Sequence, residues 1–169
     1  MSTLVRYSFL EKLEKQVLES LKTRHRVLIS VVGKRGTGKS FFGRHIRKKG
    51  FGQFGKRTIT VIDDRVMTME FLYFFKRRLK IPRNGVDELQ PYLKKLPKRI
   101  KIIFYINNSP SDKISRADIL LKLVTDEDTR INRLEERYGL GSDKLNNYLS
   151  GPESEDYSIE HKYTLEAEI

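Results

Sequence analysis

The amino-acid sequence predicts an α/β fold with about five mostly parallel strands flanked by helices. Short apolar runs rich in β-branched residues alternate along the chain with segments of helical periodicity. This alternation is typical of a parallel sheet whose strands are joined by right-handed crossovers. A chain of 169 residues, 38% of them apolar, can bury a substantial core, so we expect a single domain over residues 1–169.

Five apolar runs are the predicted strands. Residues 27–32 are continuously apolar, as expected of a strand buried on both faces of a parallel sheet. The others are, in chain order, residues 59–62, 100–106, 119–124 and 163–167. Helices are expected between them, over residues 67–79, 86–96, 126–138 and 143–149. We expect Pro91 to kink the second of these helices or to lie in its first turn.

Residues 1–24 contain a predicted amphipathic helix. Apolar residues recur at three- and four-residue spacing over 7–22, so this helix is expected to pack on the domain. Two later helices carry start signals. Thr125 with Asp128 three residues on resembles a capping box, and Ser142 is a plausible N-cap.

Charge is divided unevenly along the chain, whose net charge is +12. Residues 1–110 carry 26 Lys and Arg against 8 Asp and Glu, whereas residues 111–169 carry 8 against 14. The basic part favours an anionic partner, either the phosphates of a small ligand or a nucleic acid backbone. The alternative is a solvated basic surface, and charge alone does not choose between them.

The composition excludes several classes of site. The chain has no cysteine, which excludes disulfides, thiolate metal sites and a cysteine nucleophile. No apolar run approaches the roughly 20 residues that span a bilayer. The first residues soon become charged and periodic, unlike a signal peptide. We therefore expect a cytoplasmic protein with no membrane partner.

Residues 33–40, GKRGTGKS, match the phosphate-binding pattern G-x-x-x-x-G-K-[ST] at every fixed position. Glycines let backbone N–H groups converge on phosphate oxygens, Lys39 can reach the β- and γ-phosphates, and the Ser40 hydroxyl can ligate Mg²⁺. A strand precedes the motif, and a helix follows whose apolar face contains Phe41, Phe42, His45 and Ile46. The nucleotide-binding residues expected here are Gly33, Arg35, Gly36, Thr37, Gly38, Lys39, Ser40 and Phe41. The sequence thus predicts a nucleoside triphosphate site on a three-layer P-loop NTPase fold; the alternative is a glycine turn without a ligand.

Two aspartates end the second predicted strand. Asp63 and Asp64 lie at the strand edge where parallel sheets bind ligands, with side chains on opposite sides. One of them can hold Mg²⁺-bound water or accept the proton of an attacking hydroxyl. Asp63 ranks first, because Arg65 can pair with its neighbour. The alternative is that Arg65 or helix N–H groups satisfy both acids.

The third predicted strand ends in Asn107 and Asn108, where many phosphate-loop enzymes place an acid. The nearest acid is Asp112. Either the metal is held through water by Asp63 or Asp64, or the strand assignment hides the true acid.

Three arginines share one face of the helix predicted over 126–138. Arg130, Arg133 and Arg137 are spaced i, i+3 and i+7, beside an apolar stripe rather than opposite it. Guanidinium groups in this position can clamp phosphates as part of a small lid. The alternative is pairing with the acids of the same helix and its start, Asp126, Glu127 and Glu136, on a solvated face.

From residue 27 onward the order of motifs resembles the P-loop kinases of small molecules and nucleotides, most nearly dephospho-coenzyme A kinase. The matching stretches are GKRGTGKS, TVIDDR and ADILLKLVTDEDTRINRLEERYGL. The resemblance implies ATP and Mg²⁺ as cofactors, with ATP held by the loop and by the three arginines. It implies catalytic roles for Lys39, Asp63, Asp64 and Arg133, and a metal site at Ser40 and Asp63. The family's D-x-D is DDR here, so the second acid is out of register.

Our leading hypothesis is an ATP-dependent phosphotransferase. It would act on a small phosphorylated or hydroxyl-bearing acceptor bound between residues 63–80 and 107–115. One alternative is a nucleic-acid-associated ATPase of viral or plasmid type, favoured by the basic residues 1–110. The other is a nucleotide-binding module with little turnover, in which Asn107 and Asn108 stand where the catalytic acid would be.

Overall fold

A computed structural model of the chain describes residues 3–63, 68–71, 75–78, 87–108, 113–150 and 157–169. Asp64 and Arg65, which were among the predicted site residues and their partners, lie outside these residues, and so does Asp112.

The described strands form one seven-stranded sheet. The strands are β1 (Val27–Val32), β2 (Ile59–Asp63), β3 (Thr68–Phe71), β4 (Phe75–Arg78), β5 (Ile102–Ile106), β6 (Ile119–Val124) and β7 (Tyr163–Glu168). Their order across the sheet is β4-β3-β2-β5-β1-β6-β7. The five strands from β2 to β7 in this order are parallel, while β3 is antiparallel to both β2 and β4. The prediction of an α/β fold with five parallel strands is confirmed.

Helices flank the sheet. They are α1 (Thr3–Leu21), α2 (Lys39–Lys49), α3 (Gln90–Lys94), α4 (Glu127–Tyr138) and α5 (Asp143–Ser150). Pro91 lies in the first turn of α3, where its missing N–H removes no helical hydrogen bond. Ser142 caps α5 as predicted, since its Oγ accepts a hydrogen bond from the Leu145 N–H at 3.2 Å. None of the helices in the described ranges has the length and hydropathy that a bilayer crossing requires.

Two local predictions were wrong. Residues 67–79 were expected to be a helix, but the described residues there form β3 and β4. This stretch is rich in phenylalanine, tyrosine and threonine, which favour strands, and the edge of β2 offers it backbone partners. Helix α4 is capped by Asp126, whose Oδ1 accepts from the Thr129 N–H at 2.8 Å, and not by Thr125, because the helix begins one residue later than the capping box requires.

The sheet separates two apolar cores. On one face, α1 and α2 pack against alternate residues of β1, β5 and β6, and Phe9, Leu13, Phe42 and Ile46 are among the buried helical residues. The other core contains Leu93 of α3 and residues of segment 113–118. Both faces of β1 and β5 at the centre of the sheet are therefore covered, which accounts for their mostly apolar sequences. Helix α1 contributes Phe9, Leu13 and Val17 to the first core.

The connections after β1 and β5 leave the sheet on opposite sides. Strand β1 leads into α2, which supplies Phe42 to the first core. The described segment after β5 supplies Ile114 and Ala117 to the second core. In open parallel sheets, such a divergence between neighbouring strands opens a crevice at their carboxyl ends. The crevice lies beside residues 33–40.

Candidate functional site

A cavity of about 400 Å³ lies at the carboxyl ends of β1 and β5. Its walls are formed by residues 34–41, by the second turn of α2 and the end of β5, and by one residue of α4. Among the described residues, five lining side chains are cationic and none is a carboxylate. The cations are Lys34, Arg35, Lys39, Arg44 and Arg137. A cavity with this charge distribution selects for anions.

The glycine-rich loop (residues 33–40) needs glycine for two different reasons. A Cβ at Gly33 would collide with the Leu123 carbonyl oxygen on β6. At Gly36, φ is +91° and a Cβ would lie 2.9 Å from both Cγ and the carbonyl oxygen of Arg130. The loop is thus wedged between β6 and α4, which explains how its backbone is held beside the cavity.

Helix α2 begins without a side-chain cap. Its N-cap is Gly38, which makes no side-chain hydrogen bond. The first N–H groups of any helix lack intrahelical partners, and they carry the positive end of the helix dipole. Ser40 lies in this first turn and lines the cavity, and no residue in the described part of the chain bonds its hydroxyl. The start of α2 therefore presents several donors to the cavity.

The Lys39 ammonium group is held by the loop itself. The side chain is only 8% exposed, and Nζ donates to the carbonyl oxygens of Gly33 and Lys34, the latter at 2.8 Å. Carbonyl oxygens solvate the ammonium without neutralising it. An anion entering the cavity would offer Lys39 a stronger, charge-assisted partner.

Thr37 serves the shape of the loop. Its Oγ1 donates to the Lys34 carbonyl oxygen at 2.9 Å, and its N–H donates to the same oxygen at 3.4 Å. Because Thr37 is buried and its hydroxyl is engaged, its side chain closes the turn. The backbone around it remains the part that faces the cavity.

The three predicted arginines of α4 all lie beside the loop, but their contacts differ. Buried Arg130 forms a bidentate pair with Glu127 and donates from Nη1 to the Arg35 carbonyl oxygen at 3.1 Å. The Arg130 hydrogen bonds hold the pKa of the Glu127 carboxyl below its ordinary value. Arg133 donates from Nη1 to the Gly36 carbonyl oxygen at 3.4 Å. Arg137 is exposed and lines the cavity.

The two interpretations of the arginine face, phosphate binding and pairing with acids, apply to different arginines. The pairing alternative holds for Arg130, which braces the loop through Glu127. Arg137 lines the cavity, where the phosphate-binding interpretation requires it to be. Periodicity alone placed the arginines on one face but did not separate these tasks, because the difference depends on how α4 packs against Gly36.

An aromatic contact joins α5 to the loop. The Arg35 guanidinium carbon lies 4.3 Å from the centroid of the Tyr148 ring, a cation–π distance. Tyr148 in turn packs on Tyr138, with ring centroids 5.0 Å apart. No spacing in the sequence links Tyr148 to residues 33–40, so sequence reasoning missed this contact.

Asp63 lies one strand away from the cavity wall. It ends β2 and pairs in register with Ile106, which does line the cavity. The structure therefore brings Ser40 into the cavity and leaves Asp63 at its margin. No group of three or more histidine, cysteine or acidic residues that could hold a metal ion occurs among the described residues.

Asn107 lies at the cavity wall beyond β5, where the sequence lacks the expected acid. The residue is 2% exposed, and its Nδ2 donates to the Ser30 Oγ at 3.0 Å and to the Tyr105 carbonyl oxygen at 3.2 Å. Because a carbonyl only accepts, the Tyr105 contact fixes which end of the amide faces it. The Asn107 Oδ1 is buried and has no hydrogen-bond partner among the residues that the structure describes.

Three side chains of α2 were misjudged or missed. His45 was expected on the apolar face of the helix, but it is exposed. Phe41 was expected on the apolar face of the helix, yet it is 57% exposed and lines the cavity. Phe42 and Ile46 form the buried face, and a step of about 100° per residue turns Phe41 away from it. Arg44 also lines the cavity, and its spacing of three residues from Phe41 was the signal that could have revealed it.

Comparison with family models, curated proteins and solved structures found no match to this chain. A functional assignment therefore depends on the sequence motif and on the geometry of the cavity.

Proposed function

We propose that this protein binds a nucleoside triphosphate, expected to be ATP, in the glycine-rich loop and transfers its terminal phosphoryl group to a small acceptor. This would make it a phosphotransferase of the P-loop kinase type. One observation carries the proposal: the uncapped start of α2 and the buried Lys39 open into a cavity whose described lining contains five cations and no carboxylate. A polyphosphate carries the negative charge that would balance these cations.

The residues of the loop and of α4 would make different contacts with the triphosphate. Backbone N–H groups at the start of α2 would donate to phosphate oxygens, and Lys39 would exchange the Gly33 and Lys34 carbonyls for the β- and γ-phosphates. Arg137 would add charge from the α4 side, and Arg133 is positioned by its contact with Gly36 to do the same. Arg130 would keep the loop in shape.

The donor set fits Mg²⁺ bound together with the triphosphate. Mg²⁺ in such sites takes few protein ligands and is completed by phosphate oxygens and water. The Ser40 hydroxyl lines the cavity and has no partner among the described residues, so it is the expected direct ligand. Asp63, one strand farther, would act through water. When bound, Mg²⁺ neutralises charge on the phosphates.

The proposed reaction is a substitution at phosphorus. A bond forms between the acceptor oxygen and the γ-phosphorus, and the bond from that phosphorus to the β–γ bridging oxygen breaks, which releases a nucleoside diphosphate. The acceptor's proton passes to Asp63 or Asp64, or to solvent. Positioning and charge stabilisation supply most of the catalysis in such transfers.

A binding and turnover experiment tests this proposal. Lys39→Ala should weaken ATP binding, measured by calorimetry, by at least about 100-fold, because it removes the buried cation of the loop. Lys48→Ala, an exposed cation on the same helix, is the matched control and should bind like the parent. If Lys39→Ala bound ATP as tightly as the parent, the proposal would be wrong.

Product analysis then separates the kinase from other triphosphate users. The parent is incubated with ATP, Mg²⁺ and a panel of nucleosides, nucleotides and dephospho-coenzyme A, and phosphorylated product is detected by ³¹P NMR. Transfer to one of these acceptors supports the phosphotransferase. Hydrolysis that polynucleotides stimulate, and that falls steeply with salt, would point instead to a nucleic-acid-associated ATPase.

The amide of Asn107 favours a second candidate function, a nucleotide-binding module with little turnover. A neutral amide can neither take a proton nor hold a metal as a carboxylate does, and Asn107 is fixed by Ser30 and Tyr105. In a module of this kind, Asn107→Asp should raise ATP hydrolysis at least tenfold. In the phosphotransferase, the same variant should leave transfer unchanged or slower, because it loses the bond to the Tyr105 carbonyl.

A further inference from the structure

Three basic segments meet at the amino edge of the sheet, where the parallel strands begin. One precedes each of the neighbouring strands β1, β2 and β5. The segments lie side by side, because Val27 and Ile59 both pair in register with Ile102. We call them together the basic edge surface, which consists of residues 22–26, 56–58 and 94–101. This surface lies at the opposite end of the strands from the cavity beside the glycine-rich loop.

Hydrogen bonds join the three segments. The Lys101 N–H donates to the Thr58 carbonyl oxygen, and the Val27 N–H donates to the Lys101 carbonyl oxygen, both at 2.8 Å. The His25 ring adds a bridge. Because a carbonyl only accepts, His25 Nε2 donates to the Lys98 carbonyl oxygen at 2.8 Å, and Nδ1 accepts from Lys101 Nζ at 3.1 Å. The basic edge surface is therefore one connected unit.

The basic edge surface contains ten Lys and Arg residues and no Asp or Glu. Two of the cations pair with acids from outside the surface, Lys22 with Glu19 at 2.6 Å and Arg24 with Asp118 at 2.7 Å. Four others are exposed and have no hydrogen-bond or ion-pair partner among the described residues, namely Arg57, Lys94, Lys95 and Lys98. Cations gathered at this density create a positive potential that attracts a polyanion.

A cavity of about 220 Å³ lies beside these cations. Its described lining includes one acid, Asp118, and four cations, which are Arg24, Arg26, Lys94 and Arg116. Asp118 is only 6% exposed, and besides pairing with Arg24 it accepts from the Leu28 N–H at 2.8 Å. Its negative charge is thus already compensated, and it does not cancel the potential of the surface.

The side chains of the surface favour a duplex over a single strand or a membrane. Proteins that bind single strands stack bases on aromatic rings, and the basic edge surface has no Phe, Tyr or Trp. Segments that lie in a membrane interface bury large apolar side chains. The large hydrophobic residues that are exposed in the described part of the chain all lie outside the surface; they are Leu18, Phe41, Leu140 and Leu149.

The hydroxyl groups of the surface favour DNA over RNA. Double-stranded RNA is recognised largely through its 2′-hydroxyls, which need hydrogen-bonding side chains. The surface has two hydroxyls, and both already donate within their own turns, Thr23 to the Ser20 carbonyl oxygen at 3.4 Å and Thr58 to the Gly55 carbonyl oxygen at 2.8 Å. Its exposed Lys and Arg side chains remain, and these bind phosphates of either sugar.

We propose that the basic edge surface binds the phosphate backbone of double-stranded DNA without reading its sequence. Three strands at a spacing of about 4.8 Å cover about 10 Å, which matches about three successive phosphates of one DNA strand. Contacts to phosphates position a protein on the duplex but carry no sequence information. The inference is independent of the proposed function, because the surface and the cavity lie at opposite ends of the strands.

The test measures binding to a fluorescent DNA duplex of about 20 base pairs by anisotropy, at salt concentrations from about 50 to 200 mM. Four phosphate contacts predict a slope of roughly −3 to −4 for the logarithm of the binding constant against the logarithm of the salt concentration. The edge variant combines Lys94→Gln, Lys95→Gln and Lys98→Gln. It should bind at least about tenfold more weakly at about 100 mM salt, and its slope should be shallower by roughly 2 to 3.

A matched control separates the surface from net charge. It combines Lys12→Gln, Lys15→Gln and Lys144→Gln, which remove three exposed lysines of α1 and α5 that have no partner among the described residues. The control has the same net charge as the edge variant and should bind the duplex within about twofold of the parent. Equal losses in the two variants would show that net charge alone causes binding, and the inference would be wrong.

Other results would overturn the inference as well. If a single strand, an RNA duplex or a phosphatidylserine vesicle bound the parent more tightly than the DNA duplex, the surface would have a different partner. Saturating ATP and Lys39→Ala should each leave duplex binding unchanged; if either abolished it, the DNA would lie in the cavity. The edge variant should still bind ATP as the parent does, so the proposed function and this inference can fail separately.

Discussion

Cations lie at both ends of the parallel strands, but their surroundings differ. At the amino edge, where the parallel strands begin, Arg26 donates to four backbone carbonyl oxygens at 2.6–3.0 Å, those of Leu93, Leu96, Pro97 and Ile100. At the carboxyl edge, the described lining of the cavity contains five cations and no carboxylate. Both edges are basic, and at the first the chain itself supplies the partners of Arg26.

An ion pair with a buried carboxylate strengthens the contrast. At the amino edge, the Asp118 carboxylate accepts from the Leu28 N–H at 2.8 Å and pairs with Arg24 at 2.7 Å. At the carboxyl edge, the Lys39 ammonium donates to the carbonyl oxygens of Gly33 and Lys34 in its own loop. The difference teaches that a carboxylate partner within the chain, and not the residue type, marks a cation that serves the fold, as Asp118 does for Arg24. By this criterion Arg130, which is paired with Glu127, belongs with the structural cations.

The largest expected effect on stability comes from removing the Arg26 hydrogen bonds at the amino edge. Arg26→Met would leave the carbonyl oxygens around it without their donor, and should lower the free energy of unfolding by roughly 2–4 kcal/mol. Urea denaturation measures this change. ATP affinity per folded molecule should stay at the parent value, because Arg26 lies at the opposite edge of the sheet from the cavity.

Arg116→Met is the matched control for this variant. Arg116 also lies near the amino edge, but it is half exposed and its nearest acid, Glu160, is 3.9 Å away. Its loss should change the free energy of unfolding by less than about 1 kcal/mol. Equal destabilisation by the two variants would contradict the role given to the carbonyl cluster.

A smaller effect on stability, but a large one on binding, is expected at Gly36. Gly36→Ala places a Cβ at a positive φ and 2.9 Å from backbone and side-chain atoms of Arg130. The backbone strain should cost roughly 1–2 kcal/mol. The contact should also displace α4 from the loop and lower ATP affinity, as measured by calorimetry.

Gly139→Ala separates strain from contact. Gly139 has a similar φ of +83°, but a Cβ there would meet nothing within 4 Å. This variant should lose stability through strain alone and keep the ATP affinity of the parent. If both variants lost ATP affinity equally, the wedging of the loop by α4 would not be the cause.

Sequence reasoning succeeded where the signal was local. The strand before the loop, the loop itself and the start of α2 follow from β-branched residues, glycine spacing and the change to helical periodicity. It failed at residues 67–79, where the apolar spacing also fits a helix. Strands β3 and β4 form there because the edge of β2 provides hydrogen-bond partners, a tertiary effect that a local pattern does not contain.

In the candidate site, too, the residues in local motifs were predicted, and those placed by tertiary packing were not. The motif identified Lys39 and Ser40, and both line the cavity. Arg44 and Tyr148 were missed, because they reach the site only through the packing of α2 and α5. Asp63 was predicted from its place at a strand end, but strand order puts β5 between β2 and the loop strand, so Asp63 lies at the margin.

The smallest expected effect concerns the brace between Glu127 and Arg130. Hydrogen bonds from Arg130 lower the pKa of the Glu127 carboxyl below its ordinary value of 4.5. A lowered carboxyl pKa contributes stability above pH 4.5, and this contribution is lost as the pH falls through the folded-state value. Glu127→Gln should therefore be less stable than the parent near pH 7, and the two should converge under acid conditions.

The size of this effect is limited by solvent. The Glu127 side chain is 54% exposed, so screening should keep the difference at pH 7 below about 1 kcal/mol. Urea unfolding between pH 3 and pH 7 measures it, with Glu136→Gln, an exposed acid on the same helix, as the control that should follow the parent throughout. A Glu127→Gln difference that grew as the pH fell would have the wrong sign for this pair. Arg130 would then not be held by Glu127, and it would join the cations whose partner comes from outside the chain.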